Sequence, residues 1–237
     1  MTDNTLPGIR ACVFDAYGTL FDVNSSARME RQRLGAAWKP LADLWRLKQL
    51  QYTWLRGLGG RHADFWQVTG DTLDFALDSL GLEDAALRRR LMDLYLSLEC
   101  YAEVPQVLRE LRGAGMGLAI LSNGTPAMLE SAVRHAGLDG LFDHVLSIEE
   151  VGVYKPHPSV YRLASERFAL PPRHLAFVSS NAWDACAAQS NGLRALWCNR
   201  TAQRPERLPE TPEREIGSLT QLPGVVMAGV AMGSGAP

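Results

Sequence analysis

The chain begins with one short apolar run and then changes to a helical pattern. Residues 9–14 are apolar and partly β-branched and end at the polar Asp15, which predicts a buried strand that leads into a loop. Between Ser25 and Leu98, leucines and tryptophans recur at spacings of three and four, as on the apolar face of amphipathic helices. We therefore predict an all-helical insertion over residues 22–100, directly after the first strand.

From residue 101 onward the pattern alternates between strands and helices. This order predicts an α/β fold, a doubly wound and mostly parallel sheet of the Rossmann-like kind with helices on both faces. The core would comprise residues 1–21 and 101–223, with 22–100 as a helical cap over the crevice at the strand ends. Residues 201–215 are predicted to be a surface excursion and 224–237 a disordered tail. The predicted strands are 118–121, 145–147, 175–178 and 194–197, and the predicted helices are 105–112, 126–136, 158–168 and 184–191.

Charge and composition limit the partners and the compartment. Lys+Arg 24 against Asp+Glu 26 gives a net charge of -2, which provides no basic surplus for nucleic acid. No apolar run approaches the roughly 18 residues that suggest a membrane span, and the first residues lack the features of a secretory signal. The four cysteines form no C-x-x-C pair and are expected to be reduced thiols. We expect a cytoplasmic protein that binds neither nucleic acid nor membranes.

Polar side chains cluster where the predicted strands end. Each one alone is ordinary turn or helix-cap chemistry. Because parallel strands end at one edge of a sheet, these side chains should converge there. Together they could supply a nucleophile, an anion cradle, a compensating charge and a group that orients water. They are Asp15 and Thr19 after the first strand, Ser122 and Asn123 after the second, then Lys155, and finally Ser179, Asn181 and Asp184.

This combination resembles the haloacid dehalogenase superfamily over roughly residues 9–222. Its four motifs match residues 15–19, Ser122, Lys155 and the region up to Asp184. In finer detail, the chain is similar to the type II L-2-haloacid dehalogenases. The segments that carry this similarity are 14–22, 45–46, 121–124, 153–156 and 177–184. The resemblance implies hydrolysis of short (S)-2-haloalkanoates to (R)-2-hydroxy acids, with inversion at C2 through an aspartyl ester on Asp15. It implies no cofactor and no metal, with halide as the second product.

The resemblance also implies roles for individual residues. Arg46, in the pair Trp45–Arg46, would contact the halide, and Asn123 and the ring edge of Trp183 would complete that cradle. Leu47 stands where glutamine is expected in many relatives, which predicts a less polar pocket wall. A homodimer is common in the family. Lys155 and Thr19 would support the nucleophile, and Ser122 would hold the substrate carboxylate. Water would be oriented by Ser179, Asn181 and Asp184, with Tyr161 as a supporting residue. Apart from the resemblance, the apolar candidates for the pocket are Tyr17, Leu50, Trp66 and Trp183, although Leu50 and Trp66 could equally belong to the core of the cap.

Two alternatives remain open at this point. The first is a magnesium-dependent phosphatase of the same superfamily that acts on a small phosphomonoester. Phosphatases of the superfamily carry a second aspartate where this chain has Tyr17, and Ser179, Ser180 and Asn181 leave Asp184 as the only carboxylate of the fourth motif. Magnesium usually requires more hard oxygen ligands than that. The second is a non-catalytic member that uses the crevice for binding alone.

Overall fold

The computed structural model describes residues 5–227, and a parallel sheet forms the centre of the fold. The strands are β1 (Ala11–Phe14), β2 (Gly117–Ser122), β3 (His144–Ser147), β4 (Leu175–Ser179), β5 (Arg194–Cys198) and β6 (Arg214–Ile216). Their order is β3-β2-β1-β4-β5-β6, and every neighbouring pair is parallel. All four residues of β1 are buried, as expected for a central strand covered on both faces. The predicted fold class is confirmed.

Helices cover the sheet and fill the segment between β1 and the rest of the core. Within residues 22–100 the named elements are all helices, which agrees with the predicted helical insertion. The insertion contains α1 (Ser25–Met29), α2 (Arg31–Leu34), a 3-10 turn, α3 (Trp38–Leu58), α4 (Phe65–Leu80) and α5 (Ala85–Tyr95), and the core helices are α6 (Val104–Gly113), α7 (Pro126–His135), α8 (Pro158–Phe168), α9 (Ala182–Ser190) and α10 (Leu222–Val226).

The register of the sheet brings three loops to one edge. Phe14, the last residue of β1, pairs with Ile120 of β2 and with Val178 of β4. The backbone N–H of Asp15 continues this ladder and donates to the Val178 carbonyl at 2.9 Å. The loops after β1, β2 and β4 therefore leave the sheet side by side.

Two short elements near the C-terminus differ from the prediction. The predicted surface excursion over 201–215 ends in β6, which pairs with β5 and buries Ile216. Three residues are too few to show an alternating pattern. The predicted tail boundary at residue 224 is wrong, because α10 continues to Val226 and the N–H of Leu6 donates to the Val225 carbonyl at 2.8 Å. The remainder of the predicted tail, 228–237, lies outside the described residues.

The cysteines lie mostly in the core of the fold. Three of the four thiols, Cys12, Cys186 and Cys198, are buried, and Cys100 is half-buried, and all four are free. Burial raises the pKa of Cys12 to about 12, so that thiol stays protonated at neutral pH. Among residues 5–227, no helix combines the length and apolar character needed to cross a bilayer.

Candidate active site

Asp15 lies at the end of β1 and accepts hydrogen bonds from three side chains. Lys155 Nζ lies 3.1 Å from its Oδ1. Its Oδ2 accepts from the Thr19 hydroxyl at 3.0 Å and from Asn181 Nδ2 at 3.1 Å. Only 6% of the residue is exposed. Three donors from three different loops therefore orient one buried carboxylate.

Gly18 allows the loop after β1 to approach the loop after β4. Its φ of +94° lies in the left-handed region that favours glycine. A Cβ atom at this position would lie 3.2 Å from the Ser180 hydroxyl. Where these two loops meet, the Ser180 N–H donates to the Thr19 hydroxyl at 2.8 Å. Ser180 thus fixes the orientation of Thr19, a role that is not visible in the sequence.

Lys155 bridges Asp15 and a second buried carboxylate. Its Nζ lies 2.9 Å from Asp184 Oδ2, and the Tyr161 hydroxyl donates to Asp184 Oδ1 at 2.7 Å. Burial by itself lowers the pKa of Lys155, but the charges and hydrogen bonds of the two carboxylates outweigh burial and raise the pKa. Burial raises the pKa of Asp184, opposed by the Lys155 charge and increased by the Asp15 charge. Two buried carboxylates therefore share one buried ammonium.

The loops after β2 and β4 are held mainly by contacts to backbone atoms. The Ser122 hydroxyl accepts the Gly124 N–H at 3.1 Å, and Asn123 Oδ1 accepts the Lys155 N–H at 3.1 Å. Ser179 accepts the Asn181 N–H at 3.1 Å, so it shapes the loop that presents the Asn181 amide. The structure thus brings all the residues predicted at the strand ends to one edge of the sheet.

Arg46 reaches this edge from α3 of the insertion. Its Nη2 donates to the Tyr17 carbonyl at 3.2 Å, and its Nη1 donates to Gln49 Oε1 at 2.7 Å. Residues 28–61 carry eight positive and two negative side chains, and four of the positive ones, Arg28, Arg33, Lys39 and Arg56, form ion pairs with carboxylates. Arg46 forms none with any residue of the described chain. Its charge is therefore available to an anion.

Aromatic rings form the apolar side of the site. Tyr17 stacks on Tyr95 with the ring centroids 5.5 Å apart and also packs against Phe65 at 5.6 Å. Burial, helped by the charges of Tyr95 and Asp15, raises the pKa of Tyr17 well above its usual value. Its buried hydroxyl has no hydrogen-bond partner within residues 5–227 and remains a neutral donor. Trp183 meets Trp54 edge-on at 5.3 Å.

Three apolar positions from the sequence analysis have different outcomes. Leu50 lies one helical turn after Arg46 on α3 and is half-buried, and its role in the pocket stays a prediction. Trp66 lines a separate cleft of about 240 Å³ between α4 and α5, and Phe65 takes the predicted place beside Tyr17. Leu47 is 51% exposed, on the outer surface of α3, so the predicted change in the pocket wall is not found there.

An apolar cavity of about 760 Å³ lies beside the site. It shares Lys155 and Trp183 with the site and extends between α3 and α9, past Trp54 and Cys186. Asp15 does not line it. The cavity is therefore adjacent to the nucleophile and does not enclose it.

Comparison with known proteins identifies relatives of this arrangement. The family model for haloacid dehalogenase-like hydrolases matches residues 9–192. An (S)-2-haloacid dehalogenase of Pseudomonas sp. (strain YL) is 46% identical over 212 residues, which cover 89% of this chain and 91% of the relative. (S)-2-haloacid dehalogenase 1 of Pseudomonas sp. (strain CBS-3) is 43% identical over 221 residues, covering 92% and 97%.

A solved structure shares the fold across almost the same span. The L-2-haloacid dehalogenase from Xanthobacter autotrophicus with chloropropionic acid covalently bound has a TM-score of 0.85 and 38% identity, and the match covers 91% of this chain and 97% of that one. Since the family model covers most of the chain, and relatives well above 30% identity span about nine-tenths of it, the chain belongs to the (S)-2-haloacid dehalogenases of the haloacid dehalogenase-like hydrolase family.

Proposed function

We propose that this protein hydrolyses short (S)-2-haloalkanoates to (R)-2-hydroxy acids and halide, through an ester on Asp15. The observation that carries the proposal is the charge arrangement. A buried carboxylate contacts the Lys155 ammonium at 3.1 Å, and the Arg46 guanidinium, free of ion pairs in the described chain, lies on the insertion above the same loop. A nucleophile and an anion acceptor thus occupy one site.

In the first half-reaction, a carboxylate oxygen of Asp15 attacks C2 on the side opposite the halogen. The new C–O bond forms as the carbon–halogen bond breaks, and the bonding pair leaves with the halide, so C2 inverts. Lys155, Thr19 and Asn181 hold the attacking carboxylate in a fixed orientation. This orientation reduces the entropy that the bimolecular step would otherwise lose.

The departing halide requires donors on the opposite side of the substrate. Arg46 supplies a full charge, and the Asn123 amide NH₂ and the ring edge of Trp183 supply weaker positive potential. Asn123 Oδ1 is already engaged with the Lys155 N–H, which leaves the NH₂ group for this purpose. The substrate carboxylate would be held by Ser122, by N–H groups of the loop after β2 and by the Tyr17 hydroxyl, which has no partner within residues 5–227.

In the second half-reaction, water attacks the ester carbonyl carbon of Asp15. The water gives one proton to Asp184 as its oxygen bonds to the carbonyl carbon. The ester C–O bond to the substrate then breaks, and Asp184 returns that proton to the departing oxygen, which leaves as the 2-hydroxy acid. The regenerated Asp15 carboxyl group releases the second proton of the water to solvent. The burial that raises the pKa of Asp184 makes it a better proton acceptor than an exposed aspartate. Asn181 orients the water, and Tyr161 fixes Asp184 through its 2.7 Å hydrogen bond.

The phosphatase alternative does not fit the donor set. The superfamily's phosphatases use magnesium, which prefers an octahedral shell of oxygen ligands. Here the ammonium of Lys155 lies between Asp15 and Asp184, at 3.1 and 2.9 Å, and Tyr17 stands in place of a further carboxylate. No cluster of three or more metal-ligating side chains occurs among residues 5–227. Among the described residues, the site therefore lacks the third carboxylate that would favour magnesium over the ammonium already there.

We further propose that residues 22–100 act as a cap that closes over the substrate, and that two copies of the chain form a homodimer through α3. Leu47, Leu55 and Leu58 are 51%, 65% and 89% exposed and lie along α3. An exposed row of leucines on one helix favours a face that a second copy of the chain covers.

A cytoplasmic location is proposed because four unpaired thiols suit a reducing compartment.

The test is halide release from (S)-2-chloropropanoate with excess chelator present. We expect chloride release from the S enantiomer, none from the R enantiomer, and none from the folded Asp15→Asn variant. A generic aryl phosphate with magnesium should give no phosphate. Magnesium-dependent phosphate release without halide release would replace this proposal with the phosphatase.

A further inference from the structure

Gln49 is a buried amide directly behind Arg46. It lies on α3 three residues after Arg46 and is 1% exposed. Its Oε1 accepts from Arg46 Nη1 at 2.7 Å, and its Nε2 donates to Thr69 Oγ1 at 2.9 Å and to the Tyr95 hydroxyl at 3.1 Å. Both ends of the amide are therefore satisfied.

The neighbours determine which way the amide faces. The Thr69 hydroxyl donates its only proton to the Phe65 carbonyl at 2.6 Å, so toward Gln49 it can only accept. The amide nitrogen must then face Thr69, and the amide oxygen must face Arg46. The indole N–H of Trp45 donates to the Thr69 carbonyl at 2.9 Å and fixes α3 against α4 at this level.

A neutral acceptor at this position has a specific electrostatic consequence. Within residues 5–227, the groups that accept from Arg46 are the Gln49 amide oxygen and the Tyr17 carbonyl, with the Tyr95 hydroxyl beside them, and all three are uncharged. They orient the guanidinium without neutralising it. A carboxylate in the same place would form an ion pair with Arg46 and compete with any anion on the other side of the guanidinium.

We propose that Gln49 is a positioning residue for departure of the halide: it holds Arg46 toward the leaving group while leaving the charge of Arg46 uncompensated. This inference rests on the proposed function. The amide is anchored in turn by Tyr95, whose ring stacks on Tyr17 at 5.5 Å, so the support of Arg46 and the apolar wall are parts of one packed unit.

The test compares Gln49→Glu with the wild type in single-turnover halide release from (S)-2-chloropropanoate and (S)-2-bromopropanoate. Glutamate has nearly the same shape but adds the competing charge. We expect chloride release to fall by roughly 10- to 100-fold, less than the roughly 100- to 1,000-fold cost of removing a transition-state donor, because the guanidinium stays in place and only its charge is partly compensated. Bromide disperses its negative charge better, so its departure depends less on the charge of Arg46, and the ratio of the bromide to the chloride release rate should rise. In steady-state assays, KM should change little for either substrate.

Gln51→Glu provides the matched control. Gln51 lies on the same helix, and its Oε1 accepts from Lys48 Nζ at 3.1 Å instead of from Arg46. The same substitution there should leave both rates and their ratio unchanged. If Gln49→Glu does not fold, Thr69→Val removes the hydroxyl that fixes the orientation of the amide, and the same ratio, with a smaller expected rise, decides the question.

A second readout does not depend on turnover. Bromide binding, followed by quenching of tryptophan fluorescence, should weaken by roughly 10-fold in Gln49→Glu and remain unchanged in Gln51→Glu. An equal fall in both halide-release rates, no fall in either rate, or unchanged bromide binding would overturn the proposal. If the wild type releases no halide, the proposed function fails, and the bromide measurement still decides the role of Gln49.

Discussion

Replacing Lys155 by methionine removes the ammonium that Asp15 and Asp184 share while keeping most of the side-chain volume. The Nζ atom lies 3.1 Å from one carboxylate and 2.9 Å from the other, and the side chain is only 1% exposed. The variant therefore leaves two buried carboxylates without their shared counterion. We expect loss of halide release and a large loss of stability.

The size of that loss follows from the geometry. At an effective dielectric constant of about 20, opposite charges about 3 Å apart attract by about 5 kcal/mol. Burying each ion costs several kcal/mol, so the intact group of three charges contributes little net stability. Removing the ammonium abolishes both attractions but leaves both carboxylates desolvated. We therefore expect the free energy of unfolding to fall by about 3 to 5 kcal/mol at neutral pH.

The assay is urea unfolding followed by tryptophan fluorescence, with Lys39→Met as the control. Lys39 pairs with Asp43 on the surface, where the two side chains are 54% and 58% exposed. That variant should lose less than about 1 kcal/mol. Adding Asp184→Asn to Lys155→Met should restore part of the stability, because it removes one of the two uncompensated charges.

The pH dependence has a definite sign. Without Lys155, burial holds the pKa of Asp184 still further above its unfolded value. The folded state then binds a proton at a higher pH than the unfolded state, so the free energy of unfolding increases as pH falls through the folded pKa. The deficit of Lys155→Met should therefore be smaller at pH 5 than at pH 7.5. An equal deficit at both pH values, or no rescue by Asp184→Asn, would refute the reasoning.

Two further predictions concern the ester and the glycine beside Tyr17. In a single turnover in ¹⁸O water, label should enter the Asp15 carboxylate and not the hydroxy acid, as mass spectrometry of the active-site peptide would show; label in the product instead would mean direct attack by water. Gly124→Ala should lower the free energy of unfolding by about 1 to 3 kcal/mol, because its Cβ would lie 2.7 Å from the Tyr17 ring. Gly113→Ala, with open space around its Cβ, should not lower it, and equal melting temperatures for the two variants would contradict this explanation.

The sequence by itself determined the central sheet and the positions of the polar residues at its edge. Buried strands such as 118–121 appear as continuous apolar runs, and a parallel sheet must place their ends together. Asp15, Lys155 and Asp184 could therefore be selected from their places after strands. The helical insertion was readable for a similar reason, since a sustained 3.6-residue period is a local property of the chain.

Only the tertiary structure decided which side chains meet across long distances. Gln49 and Ser180 look like ordinary polar residues in the sequence, because their importance depends on Arg46 and Thr19 lying within hydrogen-bond distance. Phe65 and Trp66 are adjacent in the chain, and a rotation of about 100° around α4 decides which of them faces Tyr17. Three-residue β6 and five-residue α10 are shorter than any readable period, so their structure comes from packing against the core.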